Sequence, residues 1–134
     1  MTGINPTRMT IRRPGHATHA PEGVSTAPFW VEMLLDGSAD GENTAMRATL
    51  DPGTLTHWHT HPRGQWLYVL SGIGLAQRDG GPAEEIRAGD AVWFAAGERH
   101  WHGAAADSPF SYISVQPMEG GRFVDWLEPV EEER

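Results

Sequence analysis

His57-Trp58-His59-Thr60-His61-Pro62-Arg63-Gly64-Gln65, read together with His100-Trp101-His102, decides how this chain folds. Five of its seven histidines lie in these two short segments. Alternate residues of a β-strand point to the same face. His57, His59 and His61 can therefore line one face, as can His100 and His102. Imidazoles at i and i+2 stand about 6 to 7 Å apart along a strand, which lets both reach one metal ion from one side. The turn Pro62-Arg63-Gly64 brings Gln65 back beside them. With Gln65 facing inward, alternation sends Leu67, Val69 and Ser71 inward too, and Trp66, Tyr68 and Leu70 outward. A donor from His100 completes three nitrogens and one oxygen, with positions left open for water or substrate. That is the pattern of a reactive centre rather than a closed structural one.

Around these segments the chain reads as short apolar runs broken by turn chemistry. Strands are expected at Trp30–Leu35, Thr44–Leu50, Leu55–His59, Gln65–Ser71, Gly74–Arg78, Glu84–Arg87, Ala91–Ala95, His100–Gly103 and Ser111–Gln116. Between them lie Asp36-Gly37, Asp40-Gly41, Asp51-Pro52-Gly53, Asp79-Gly80-Gly81-Pro82, Ala88-Gly89-Asp90 and Asp107-Ser108-Pro109. There glycine supplies positive φ, proline fixes φ and aspartate caps locally. Nine short strands at close spacing predict an all-β sandwich or antiparallel barrel rather than βαβ units. Residues 1–28 read as an irregular N-terminal arm with His16 and His19 in solvent, 29–127 as the barrel and 128–134 as an acidic tail. A final strand or short helix is expected around Phe123–Leu127, and Glu131, Glu132 and Glu133 as a solvated end.

The bulk properties exclude several function classes. At 134 residues the chain makes one domain with a real core, and 39% apolar content with six Trp can fill it. Its formal net charge of −8 leaves no basic stripe to release counterions, so nucleic acid is excluded as a partner. Arg8, Arg12 and Arg13 read as part of the solvated arm. The lack of cysteine removes disulfides and thiolate sites, so any metal is held by imidazole, amide or carboxylate. No apolar run approaches the roughly 20 residues that cross a bilayer, and no apolar secretory signal is visible, which points to a cytoplasmic protein without a membrane partner.

The glycine spacing around the histidines carries a resemblance. The first segment runs Gly53, five residues, His59-x-His61, three residues, Gln65, six residues, Gly72. The second runs Gly89, five residues, Ala95-x-Gly97, two residues, His100, three residues, Ala104. Together they resemble the two motifs of the cupins, which implies a jelly-roll antiparallel β-barrel. This register implies His59, His61, Gln65 and His100 as ligands of one divalent transition metal and leaves His57 as a pocket or structural residue. Gln65 stands where the family commonly has Glu, Ala95 where it has Pro and Ala104 where it has Asn.

A neutral Gln ligand leaves the centre its full +2 charge, favouring Lewis acidity over a centre that must be oxidised. Lyase, isomerase or hydrolytic chemistry is therefore expected before dioxygen activation. His102, two residues after His100, faces the same cavity and suits a general acid or base. A closer resemblance runs from about Thr44 to Trp126. His59-Thr60-His61-Pro62, Gly64-Gln65, Val92-Trp93-Phe94, His100-Trp101-His102-Gly103-Ala104-Ala105 and Val124-Asp125-Trp126 are similar to the bacterial cupin hydroxynitrile lyases. That resemblance implies Mn²⁺, with Fe, Ni or Zn as alternatives. It also implies His102 as acid/base, Gln116 lining the pocket, and interconversion of an aldehyde plus HCN with an (R)-2-hydroxynitrile. Tyr112 departs from it, standing where those enzymes carry a second histidine; a phenol with pKa near 10 is a poor base at neutral pH. Met46 also departs, since a long thioether replaces a small residue and narrows the cavity.

Two other functions fit the same metal site. A cupin dioxygenase acting on a phenolic or dicarbonyl substrate would consume oxygen. A module that binds a small molecule without chemistry would give no product. The outward Trp66 and Tyr68 favour a homodimer or homotetramer.

Overall fold

A computed structural model describes residues 7–131 of the chain. It contains ten strands and, among the described residues, no helix. They are β1 (Thr18–His19), β2 (Trp30–Asp36), β3 (Asn43–Leu50), β4 (His59–Thr60), β5 (Gln65–Arg78), β6 (Glu84–Arg87), β7 (Ala91–Phe94), β8 (His100–Ala104), β9 (Phe110–Pro117) and β10 (Asp125–Trp126). Every pairing is antiparallel, in the order β1-β2-β3-β9-β5-β8-β4-β10, with β6 and β7 both paired to β5. The all-β, curled antiparallel barrel expected from the strand spacing is the architecture found.

The long strand β5 holds the two halves of the barrel together. Gln65–Tyr68 lie between β9 and β7, while Gly74–Ala76 lie between β8 and β6. Two separate strands were expected here, Gln65–Ser71 and Gly74–Arg78. The chain instead crosses from one half to the other without leaving the ladder. A register shift between Val69 and Ser71 supplies the bend. That bulge also corrects the expected side-chain alternation. Leu67 and Val69 point inward and Trp66, Tyr68 and Leu70 outward, as expected, but Ser71 is exposed because the extra residue flips the pleat. Gly72 is fixed by the same crossing. Its φ is 79°, and a Cβ there would overlap the Pro109 carbonyl oxygen.

Leu50, Leu67, Val69, Phe110 and Tyr112 are buried in the core, each aliphatic or aromatic side chain contributing about 1.5–3 kcal/mol on burial. On β3 and β9 the inward residues alternate: Thr44, Ala48 and Leu50 on one, Tyr112, Ser114 and Gln116 on the other. The polar members cluster at one end of the barrel.

Three segments depart from the sequence reading. The expected strand Leu55–His59 is reduced to His59–Thr60. Leu55 and Thr56 bridge singly to Gly103 and Ser25, so no continuous ladder forms. The segment read as an irregular arm holds β1, paired to β2, and buries Val24. It is fastened by Glu32, buried on β2, whose carboxylate accepts from Arg12 at 2.8 Å, Arg47 at 2.5 Å and the Gly15 N–H at 3.3 Å. Arg12 first, then Arg47, holds that carboxyl at about 2. At the other end the expected final strand is β10, but the chain stays packed beyond 127. The Trp58 N–H donates to the Glu128 carbonyl at 3.0 Å, and Val130 is buried with Leu55 and Trp101. Glu131 is exposed; Glu132 and Glu133, like residues 1–6 of the arm, lie outside the described residues.

Candidate metal centre

β4 and β8 lie antiparallel with His59 directly opposite His100, and the two rings are 4.3 Å apart. His61 follows on the same face, 5.1 Å from His59 and 5.3 Å from His100. One nitrogen from each of the three falls within 4.8 Å of the others, a cluster able to hold a metal ion. The turn after His61 is closed by the Gly64 N–H donating to the His61 carbonyl at 3.2 Å. Gly64 has φ 83°, and a Cβ there would lie 2.8 Å from the Phe94 carbonyl oxygen, so only glycine delivers Gln65 to the start of β5.

Each imidazole of the cluster is oriented through Nδ1, which donates to a main-chain carbonyl. His59 uses His57 at 2.7 Å, His61 uses Phe123 at 2.7 Å and His100 uses Glu98 at 2.9 Å. A protonated Nδ1 leaves the Nε2 lone pair for a metal. The Nε2 atoms of His61 and His100 are buried without a protein partner, and so is Gln65 Oε1. Buried acceptors are seldom left unpaired, and two within one histidine cluster, with Gln65 Oε1 in the wall that also holds His59 and His61, fit a divalent cation. Burial holds His61 at about 4 and His100 at about 3, with His59 also well below the usual imidazole range, so all three are neutral as metal binding needs. Phe94 lies flat on His100 at 3.7 Å and keeps water off that ring.

Of these residues His59, His61 and Gln65 open onto a cavity of about 290 Å³. Its remaining wall is largely apolar, with Val31, Met33, Met46 and Phe29 on one side and Val124 and Trp126 on another. Met46 lines it, as expected. His102 and Tyr112 also line it, with His102 Nε2 and the Tyr112 hydroxyl sharing a hydrogen bond of 2.9 Å. Burial keeps His102 far below its ordinary value and pushes the Tyr112 phenol up, so the first is neutral and the second protonated. Gln116 Oε1 accepts from Gln65 Nε2 at 2.9 Å, beside the same cavity.

His57 stays out of the cavity and contributes its carbonyl to His59. His16 is exposed, as expected. His19, expected in solvent, is exposed but lies at the cavity wall with its ring 4.2 Å from Trp30. Pairing of β1 with β2 puts it there. Thr44, Met33, Phe123 and Trp126 were not singled out in the sequence as site residues. Alternation from Met46 could have found Thr44, whereas Phe123 and Trp126, expected only as part of a final strand or short helix, are brought to the cavity by β10 pairing with β4.

The chain matches the Cupin domain family over residues 46–116. It is 51% identical over 128 residues to an (R)-mandelonitrile lyase of Granulicella tundricola, covering 94% of this chain and 98% of that relative, which supports a cupin lyase. The structure resembles a cupin-like protein of Thermotoga maritima with a TM-score of 0.82 and 32% identity over 92% of this chain and 93% of the other. The polyketide cyclase RemF of Streptomyces resistomycificus shares the fold with a TM-score of 0.72 at 22% identity, over 92% of this chain and 89% of that one. No helix among the described residues is long and apolar enough to cross a membrane. In sequence, in fold and in the place of its histidine cluster, the chain belongs to the cupins.

Proposed function

We propose that this cupin is a metal-dependent hydroxynitrile lyase, interconverting an (R)-2-hydroxynitrile with an aldehyde and HCN. The observation that carries the reading is the 51% identity, spanning nearly both chains, with a relative named for that activity. The site supplies the means. His59, His61, Gln65 and His100 would hold the metal, with Mn²⁺ favoured and Fe²⁺, Ni²⁺ or Zn²⁺ as substitutes. When bound, that ion supplies Lewis acidity toward the substrate oxygen.

The rest is done by the chain's own groups. The apolar wall takes the aldehyde's substituent and excludes water. The substrate hydroxyl gives its proton to the His102–Tyr112 pair, which holds it at Nε2 between ring and phenol oxygen. The C–C bond then breaks, its electron pair leaves with cyanide as the carbonyl forms, and the pair returns the proton to give HCN. Neutral His102 can accept that proton, and protonated Tyr112 can donate a hydrogen bond to the departing anion. Gln116 borders the same space. The functional unit we assign is the barrel at 29–127 together with the β1 segment that closes its cavity, working in the cytoplasm as a homodimer or homotetramer. Trp66, Tyr68 and Trp93, 40%, 38% and 60% exposed on its outer face, favour such pairing.

The test is mandelonitrile cleavage by metal-stripped protein reloaded in turn with each of the four ions, with dissolved oxygen followed in the same cuvette. Metal-dependent benzaldehyde without oxygen uptake is expected, and His102→Ala should abolish it while metal content stays intact. No benzaldehyde with any ion, or full activity in His102→Ala, refutes the reading.

A further inference from the structure

Gln116 is almost completely buried on β9, and its amide is read from both ends. Nε2 faces two oxygens of Thr44, the hydroxyl at 2.8 Å and the main-chain carbonyl at 3.4 Å. The Thr44 hydroxyl proton is already committed, because Oγ1 donates to the Gln116 main-chain carbonyl at 2.6 Å. A carbonyl has no proton to give, and a hydroxyl that has given its own can only accept. The end of the Gln116 amide that faces Thr44 must therefore be NH₂, which turns Oε1 toward Gln65. Gln65 meets that oxygen with Nε2 at 2.9 Å. What remains of Gln65 is Oε1, buried and unpartnered in the wall it shares with His59 and His61.

We infer that Thr44, acting through Gln116, fixes the Gln65 amide with its oxygen toward the histidines and selects glutamine over glutamate at position 65. The inference rests on the metal-binding reading above. Thr44 is a positioning residue, separated from the centre by two side chains. A carboxylate at position 65 would set two acceptors against each other across the 2.9 Å gap to Gln116 Oε1. Turning the Gln116 amide over would relieve that contact only by pressing its oxygen onto the two Thr44 oxygens. Removing the Thr44 hydroxyl removes the nearer of these and lets the amide turn.

The experiment titrates metal-stripped parent, Thr44→Val, Thr44→Ser, Gln65→Glu and the double variant Thr44→Val/Gln65→Glu with Mn²⁺, reading Kd. Thr44→Val should weaken binding about 10- to 100-fold, the range for loss of a group that orients a metal ligand. Thr44→Ser keeps the hydroxyl and should bind like the parent. Gln65→Glu should favour binding about tenfold more in the Thr44→Val background than in the parent, a coupling that general destabilisation would not produce. Should Thr44→Val not fold, Gln116→Leu cuts the same chain one step along and should give the same weakening and the same relief of Gln65→Glu. Parent-like Kd in Thr44→Val or Gln116→Leu, with an equal effect of Gln65→Glu in both backgrounds, overturns the inference. A parent that takes up none of Mn²⁺, Ni²⁺ or Zn²⁺ overturns the metal reading itself and this inference with it.

Discussion

Tyr112→Phe isolates a single hydroxyl in the candidate site. The ring is buried and packs at 5.3 Å from Phe110 and 5.1 Å from His102, so a phenylalanine fills the same space and leaves no cavity. What disappears is the 2.9 Å bond to His102 Nε2. His102 Nδ1 has no protein partner, so the substitution leaves a buried imidazole with neither nitrogen bonded. An unsatisfied buried polar group costs about 1–3 kcal/mol. The phenol's own desolvation is relieved at the same time, which places the expected loss toward about 1–2 kcal/mol. For a chain of this length that lowers Tm by roughly 4–8 °C, at about 4 °C per kcal/mol. Catalysis should suffer more than binding. An acid/base group contributes about 10²- to 10⁴-fold, and a ring no longer held in one orientation forfeits part of that in kcat while KM moves little. Calorimetry on the metal-stripped protein and initial rates of mandelonitrile cleavage on the loaded one read the two effects separately. A variant as stable and as active as the parent would show that His102 neither depends on Tyr112 nor works through it.

The histidine cluster predicts acid sensitivity of the metal-free protein. Burial holds His61 at about 4 and His100 at about 3 against an ordinary 6.5, so below pH 6.5 the unfolded chain binds more protons than the folded one. Stability is full above 6.5 and falls on acidification by up to about 1.4 kcal/mol per pH unit for each such histidine; an equal Tm at neutral pH and at about one unit below 6.5 refutes the neutral cluster. Metal should oppose the loss: an ion present at 100 times its Kd and bound only by the folded state adds about 2.7 kcal/mol. An unchanged Tm on loading would contradict a built metal site. Gly72→Ala should cost more than about 2 kcal/mol, since the left-handed backbone alone costs an L residue about 1–2 kcal/mol and the methyl overlaps the Pro109 carbonyl. Urea denaturation gives the value directly, and a loss below 0.5 kcal/mol would mean that the β5 crossing can relax.

The two-residue period of a strand put His59 and His61 on one face and turned Trp66 and Tyr68 away from it. That local rule was legible because each step needs only the neighbouring residues. It failed at Ser71, where a bulge required by the passage of β5 between the two halves of the barrel adds one residue and inverts the face. Nothing in Val69-Leu70-Ser71 marks the bulge; the requirement comes from β9, whose residues 110–115 must follow the same bend. The expected strand at Leu55–His59 failed for a related reason. Its residues have suitable character, but their partners come from three places: the segment 24–26 for Leu55 and His57, His102 for Thr56 and Glu128 for Trp58.

The same division runs through the candidate centre. Its donors come in compact segments, so spacing alone could nominate them. Their orientation comes from far along the chain, with the Phe123 carbonyl 62 residues from His61 and Thr44 72 residues from Gln116. The cavity wall is likewise closed from both ends, by His19 on β1 and Trp126 on β10, through pairings of two residues each. Pairings this short have no sequence period to betray them. A chain can therefore retain every histidine of the motif while losing the carbonyl or amide that aims it. Substitutions at Thr44, or any that shift the Phe123 main chain, should change metal affinity more than their distance along the sequence from the motif suggests.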